Sequence, residues 1–138
     1  ILEELTDGAT EFVVVTSDAS LVNTLGERGY NAVVGDPSDE ATLNRVGITD
    51  ARAVVAATNN DGDDALAVLT ARQLNPDVRI VASATERENV AKLERAGADT
   101  VISPAVIGGH LLVESALGRD DAAKEAEAVL SPEESGAD

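Results

Sequence analysis

Short β-branched runs in this chain end in small polar residues, and those ends carry the groups that could do chemistry. Val13-Val14-Val15 leads into Thr16-Ser17-Asp18, Ala32-Val33-Val34 into Gly35-Asp36, and Ala53-Val54-Val55-Ala56 toward Thr58-Asn59. Two further runs end in Ser83-Ala84-Thr85 and Ser103-Pro104. Hydroxyls, an amide and a carboxylate make hydrogen bonds, and such a set suits a nucleotide better than an apolar ligand. Gly35 would let a ligand approach the backbone, and Asp36 would accept a hydrogen bond from an adenine amino group. Plainer readings stand beside these. Gly-Asp is ordinary turn chemistry, and Thr58-Asn59-Asn60-Asp61 has the composition of a helix cap.

Bond-making chemistry finds less support. His110 is the only histidine and cysteine is absent, so no thiolate or paired-histidine metal site can form. His110 reads as a helix-surface or interface residue. Ser103 has no His/Asp companion set that would activate it as a nucleophile.

The elements that must position these groups follow from periodicity. The five runs alternate with stretches of helical spacing, the pattern of βαβ units around a parallel sheet, in which ligands bind beyond the carboxyl ends of the strands. Asp18 is placed to cap a helix reaching about Arg28, with Leu21, Val22 and Leu25 as its buried stripe and Gly29 past its end. Asp36-Pro37-Ser38-Asp39-Glu40 reads as turn then cap, with Leu43 and Val46 inward and Gly47 as the stop. A long Ala/Leu helix is predicted over 60–74, ended by Asn75-Pro76, because proline cannot continue it. Others are predicted over 86–96, with Val90 and Leu93 inside, and over 104–117, followed by a short amphipathic helix to about Leu130. The opening Ile1-Leu2-Glu3-Glu4-Leu5 reads as the tail of a helix already under way. With no Met and no G-x-G-x-x-G in the chain, a first strand and its glycine loop are expected upstream. The expected organisation is one α/β domain over 1–104, helices over 105–130, and an acidic disordered tail over 131–138.

Composition narrows the partners. Acids outnumber bases 26 to 10, for a formal charge of −16. So negative a field argues against nucleic acid or an anionic membrane surface as partner, since phosphates want Lys and Arg. No apolar run reaches the length of a membrane span, so no direct membrane insertion is expected and the default location is cytoplasmic. The acids are scattered through every predicted helix, only Lys92 and Lys124 are lysines, and only Phe12 and Tyr30 are aromatic. This pattern fits adaptation to very high salt, where the Debye length shrinks to about 3 Å at 1 M and self-repulsion is screened. An acidic face for a cationic partner is the competing reading.

Val33-Val34-Gly35-Asp36-Pro37-Ser38-Asp39-Glu40, Leu43, Gly47-Ile48 and Ala51-Arg52-Ala53-Val54-Val55-Ala56-Ala57-Thr58 resemble the TrkA-N or RCK family, regulatory domains of potassium channels and transporters. Leu69-Thr70-Ala71-Arg72-Gln73-Leu74-Asn75-Pro76, Glu88-Asn89-Val90, Leu93 and Ala96-Gly97-Ala98-Asp99-Thr100-Val101-Ile102-Ser103-Pro104 fit the same family. The resemblance implies a Rossmann-like, doubly wound sheet in the order 3-2-1-4-5-6, with this chain's first run as strand 2. It implies an adenine nucleotide, NAD(H) or ATP/ADP, as ligand. It implies a homo-oligomer, at least a dimer, formed through the helices after strand 6, and coupling to a potassium channel or transporter membrane subunit.

Site residues follow residue by residue. In relatives strand 2 ends in an acid that holds the ribose hydroxyls. Here Thr16 stands in that place with Ser17 next, a departure that would also tolerate a 2′-phosphate or another ligand. Asp36, after Gly35, matches the family residue beside the adenine, and Thr58 and Asn59 match the loop near ribose and phosphates. The helix from Pro104 matches the crossover helix. Where some channel relatives place calcium-binding carboxylates, this chain has Ser83 and Thr85, so no metal site is expected. The resulting reading is a non-enzymatic, ligand-sensing regulatory domain. The alternatives are an NAD-dependent oxidoreductase domain, for which there is neither a substrate domain nor a proton-transfer pair, and an interaction module without ligand.

Overall fold

All five β-branched runs form strands, and each is three to five residues long. The computed structural model describes residues 1–8 and 10–118. The elements are α1 (Leu2–Asp7), β1 (Val14–Thr16), α2 (Ala19–Glu27), β2 (Ala32–Val34), α3 (Glu40–Arg45), β3 (Ala53–Ala56), α4 (Asp61–Leu74), β4 (Arg79–Ser83), α5 (Val90–Ala96), β5 (Thr100–Ile102) and α6 (Pro104–Ala116). Single 3₁₀ turns at Ile48–Asp50 and Arg87–Asn89 complete them. The helix expected up to Leu130 and the acidic tail over 131–138 lie outside the described residues.

Every strand pair is parallel, as the βα alternation requires. Among the described residues the strands form two sheets, β1-β2 and β3-β4-β5, with no ladder between them. The order implied by the resemblance has a further strand between β1 and β3. The two parts are tied through α3 and α4: the Thr70 hydroxyl on α4 donates to the Ser38 carbonyl at 2.8 Å, and Asn75 Nδ2 donates to the Ile48 carbonyl at 2.9 Å.

Local signals act as read. Asp18 Oδ1 accepts from the backbone N–H groups of Ser20 and Leu21, and Asp39 caps α3 through the Ala41 N–H. Asn60 caps α4 by accepting from the Asp63 N–H. Gly47, at φ 88°, takes the left-handed conformation that stops α3 at little cost. Three readings change. The segment over 86–96 opens as a 3₁₀ turn and becomes α-helical only at Val90, because Asp61 holds the Thr85 and Glu86 amides and the Asn89 side chain at one point. Ser83 sits inside the ladder, opposite Ile102, rather than in the turn after the strand. Leu21 is 42% exposed, because the three-residue β1-β2 sheet covers little more than the turn of α2 that carries Leu25.

The core lies on one face of β3-β4-β5. Ile80 and Ala82 on β4, Ala56 on β3, Val68 and Ala71 on α4 and Leu93 on α5 pack together. Full burial of each large aliphatic side chain contributes roughly 1.5–3 kcal/mol. The other sheet face is open, since Val55, one residue from the buried Ala56, is 53% exposed. Phe12 and Tyr30, the only aromatics, pair at 6.0 Å between ring centroids beside β1 and β2.

One guanidinium joins the amino ends of β4 and β5. Arg72 donates to the Gly97 carbonyl from Nε and Nη2, and to the Pro76 and Val78 carbonyls from Nη1. Its Nη2 also lies 2.8 Å from Asp99 Oδ2, the oxygen that accepts the Ile80 N–H. Arg72→Ala would leave several of these acceptors unmet and should destabilise the fold by about 2–4 kcal/mol. Denaturant unfolding in molar KCl measures this; a loss under about 0.5 kcal/mol would contradict the assignment.

Candidate functional site

The ends of β1 and β2 form one polar cluster. Parallel pairing places Thr16 opposite Val34, and the Gly35 N–H donates to the Thr16 carbonyl at 2.9 Å. Thr16, Ser17, Gly35 and Asp36 are therefore neighbours. Thr16 Oγ1 accepts from the Asp18 N–H at 3.2 Å, and Ser17 is exposed.

Asp36 is shaped by its own turn. Its Oδ1 accepts from the Ser38 N–H at 2.9 Å and from the Ser38 hydroxyl at 2.7 Å. Those two bonds hold its carboxyl below the usual 3.8. No hydrogen bond among the described residues reaches Oδ2, which leaves that oxygen available to a donor. Gly35 also meets a packing requirement within the protein. A Cβ there would stand 2.6 Å from Thr42 Cγ2 and 3.1 Å from Arg45 Nη2. Glycine is needed so that α3 can pack against the strand end, with Arg45 Nη2 donating to the Val34 carbonyl.

Thr58 and Asn59 form a second group, at the end of β3 in the other sheet. No hydrogen bond among the described residues joins this group to the first. Ser83 and Thr85 lie at the end of β4, Ser103 is buried at the end of β5, and His110 is exposed on α6. The Ser103 hydroxyl is buried with no hydrogen-bond partner among the described residues.

Two buried carboxylates shape these loops, and sequence reasoning missed their roles. Asp61 and Asp64 are 7% and 2% exposed. Asp61 accepts from the Thr85 N–H and hydroxyl, the Glu86 N–H and Asn89 Nδ2, all between 3.0 and 3.1 Å. Asp64 accepts from the Thr58 hydroxyl at 2.7 Å and from the Thr58 N–H at 3.1 Å. A signal was present as three aspartates, Asp61, Asp63 and Asp64, in the first turn of one helix.

Their acidities move in opposite directions. Burial pushes Asp61 up, but the bonds from Thr85, Asn89 and Glu86 together outweigh it and hold its carboxyl below 3.8. For Asp64, burial dominates and pushes the carboxyl above 3.8 against the Thr58 bonds, helped by the charges of Asp61 and Asp63. Asp99 is held low by the Ile80 N–H and then by Arg72.

Comparison with known proteins places this geometry. The TrkA-N domain family model matches residues 1–104. Potassium channel protein 1 of Methanocaldococcus jannaschii is 30% identical over 122 residues, which is 87% of this chain and 37% of that protein. Among solved structures, the TrkA-N domain of the inner membrane protein ybaL from Escherichia coli superposes with a TM-score of 0.75 at 27% identity, over 81% of this chain and 83% of that one. The GsuK channel bound to NAD superposes with a TM-score of 0.72 at 31% identity, over 80% of this chain but 20% of the channel. The chain thus spans well under two thirds of the length of either channel protein. Among its described residues no helix is long and apolar enough to cross a membrane.

The acid response follows from the lowered carboxyls. Asp36, Asp61 and Asp99 bind protons less readily when folded, so their contribution is present above about pH 3.8 and is lost as pH falls through their lower folded values. Asp64 has the opposite sign, its contribution being present at low pH and lost as pH rises through its raised value. Stability should therefore fall below about pH 4, and Asp61→Asn should flatten that acid limb while lowering stability at pH 7. Thermal melting against pH tests this, and an acid limb of unchanged slope in Asp61→Asn would refute it.

Proposed function

Because this chain belongs to the TrkA-N domain family, we propose that it is a ligand-sensing regulatory domain that binds an adenine nucleotide and controls a potassium channel or transporter. One observation carries the reading. Within the region matched by the family model, parallel strands end in hydrogen-bonding turns at Thr16-Ser17, Gly35-Asp36 and Thr58-Asn59. That is where ligands sit in open parallel sheets. The free Asp36 Oδ2 suits the exocyclic amino group of adenine. Thr16 and Ser17 would face the ribose, and Thr58-Asn59 the ribose and phosphates.

The choice among nucleotides is open to Thr16, a neutral residue at the end of β1. GsuK, 31% identical, has solved structures bound to NAD and bound to ADP, which supports adenine as the common element. An oxidoreductase would require a proton-transfer group beside the nicotinamide, and these three turns contain neither His nor Lys. The regulatory mechanism is a population shift. Ligand occupancy biases paired domains between arrangements, by no more than its differential affinity for them.

The oligomer belongs to the same reading. α6 has no buried residue, and Val106, Ile107, Leu112, Val113 and Leu117 at or beside it are exposed, Leu112 at 74%. A bare apolar helix of this kind marks an interface, and we assign it to a second copy of the chain. The formal charge of −16 would oppose that association in dilute buffer and permit it in concentrated salt, as expected of a protein adapted to high salt.

Two measurements test the proposal. Asp36→Ala removes a charged acceptor and should weaken binding of NADH, ADP and AMP alike by at least about tenfold. Unchanged calorimetric affinities in a folded variant would sink the adenine assignment. In molar KCl at micromolar concentration the chain should sediment as a dimer or larger species, and Leu112→Asp should yield a monomer. A wild-type monomer under those conditions would remove the interface from the reading.

A further inference from the structure

The first turn of α4 contains two buried carboxylates three residues apart that serve different loops. Asp61 reaches across to the β4–α5 connection, whereas Asp64 turns back onto the loop that precedes its own helix. Thr58 has two donors, its N–H and its hydroxyl. Asp64 takes both, its 2.7 Å contact with the hydroxyl being shorter than the 3.2 Å from that hydroxyl to the Asn60 carbonyl, and the hydroxyl oxygen itself accepts from the Asn60 N–H at 3.1 Å. The Asn60 side chain then accepts the Asp63 N–H, closing the loop onto the helix. Asn59 stands between these fixed points, exposed and without a hydrogen bond among the described residues.

We propose that Asp64 is a positioning residue of the ligand site: it commits both donors of Thr58 to the protein and so presents Asn59 as the group in this loop that contacts the ligand. The inference rests on the nucleotide-binding reading above and sharpens it, because Thr58 and Asn59 no longer play equal parts. Thr58 is the anchor, and its hydroxyl proton is unavailable to a phosphate or ribose oxygen while Asp64 holds it. Asn59 has an amide with two donors and one acceptor group, which fits the oxygens of a ribose or a phosphate. The burial of Asp64 makes the arrangement stiff, since a buried carboxylate that lost Thr58 would have nothing in its place.

The test combines a loop readout with a binding readout on the intact chain in molar KCl. Amide hydrogen exchange followed by NMR should find the Thr58 N–H protected in the wild type, exposed in Asp64→Ala and intermediate in Asp64→Asn, whose single side-chain oxygen can still accept. Asp63→Ala, which removes an exposed acid from the same turn, should leave that protection unchanged. Asn59→Ala should keep the Thr58 amide protected and the melting temperature unchanged, yet weaken ADP and NADH binding by at least about tenfold. Asp64→Ala should weaken binding to a similar degree, and the double variant Asp64→Ala/Asn59→Ala little further, because both changes remove one contact. An unprotected Thr58 amide in the wild type, or protection that survives Asp64→Ala, overturns the anchoring role. Full affinity in Asn59→Ala overturns the assignment of Asn59. If the wild type bound none of NADH, ADP and AMP, the functional reading would fail, the ligand-contact half of this proposal would fail with it, and exchange at Thr58 would still decide the anchoring half.

Discussion

The constraint on which this structure depends is that the backbone groups at both ends of its short strands must find partners, and α4 with its cap supplies several of them. At its amino end Asp64 and Asp61 take the donors of the loops after β3 and β4. At its carboxyl end Arg72 and Asn75 meet carbonyls of Gly97, Pro76, Val78 and Ile48. Midway, Thr70 holds the Ser38 carbonyl. Strands of three to five residues make few ladder bonds, so an unmet amide or carbonyl at a strand end is a large fraction of what stabilises the loop. The charges also match the helix dipole, with acids at the amino end and Arg72 in the last turn.

This arrangement gives a second meaning to the acidity of the chain. Most of the acids among the described residues are exposed, but a few act as fixed acceptors for backbone donors. Asp18, Asp36, Asp39, Asp61, Asp64 and Asp99 each take at least one backbone N–H. Asp18, Asp36 and Asp39 do so two or three residues away, within reach of a short side chain, whereas Asp61, Asp64 and Asp99 take amides of other segments. A fold built so is sensitive to protonation and to the screening of its surface charge, while its small aliphatic core is indifferent to both.

Among the described residues, two exposed apolar surfaces stand out: the sheet face that carries Val55 and the exposed side chains of α6. A domain of this family that regulates a larger assembly would have its free surfaces where other elements engage it, and the core between β4, α4 and α5 keeps the remainder stiff enough to transmit a change.

The sequence by itself determined the alternation of strand and helix, the parallel class and most boundaries. Those depend on local physics: β-branched runs, Asp18, Asp39 and Asn60 as caps, Gly47 as a left-handed stop, and Pro76 after α4. It also identified the strand-end residues of the candidate site, since a βα turn must fall at a strand's carboxyl end. Tertiary structure alone decided what each of them does. Gly35 makes room for Thr42 and Arg45, eleven or fewer residues away in sequence but on another element. Thr58 is an anchor because Asp64 folds back onto it, and the helical spacing over 86–96 gave way to a 3₁₀ turn because Asp61, some 24 residues earlier, captured its first amides. Arg72 joined Gly97 and Asp99 across 25 and 27 residues for the same reason. Hydrogen bonds of that span depend on where two elements come to rest against each other, and no local pattern of residues encodes that distance.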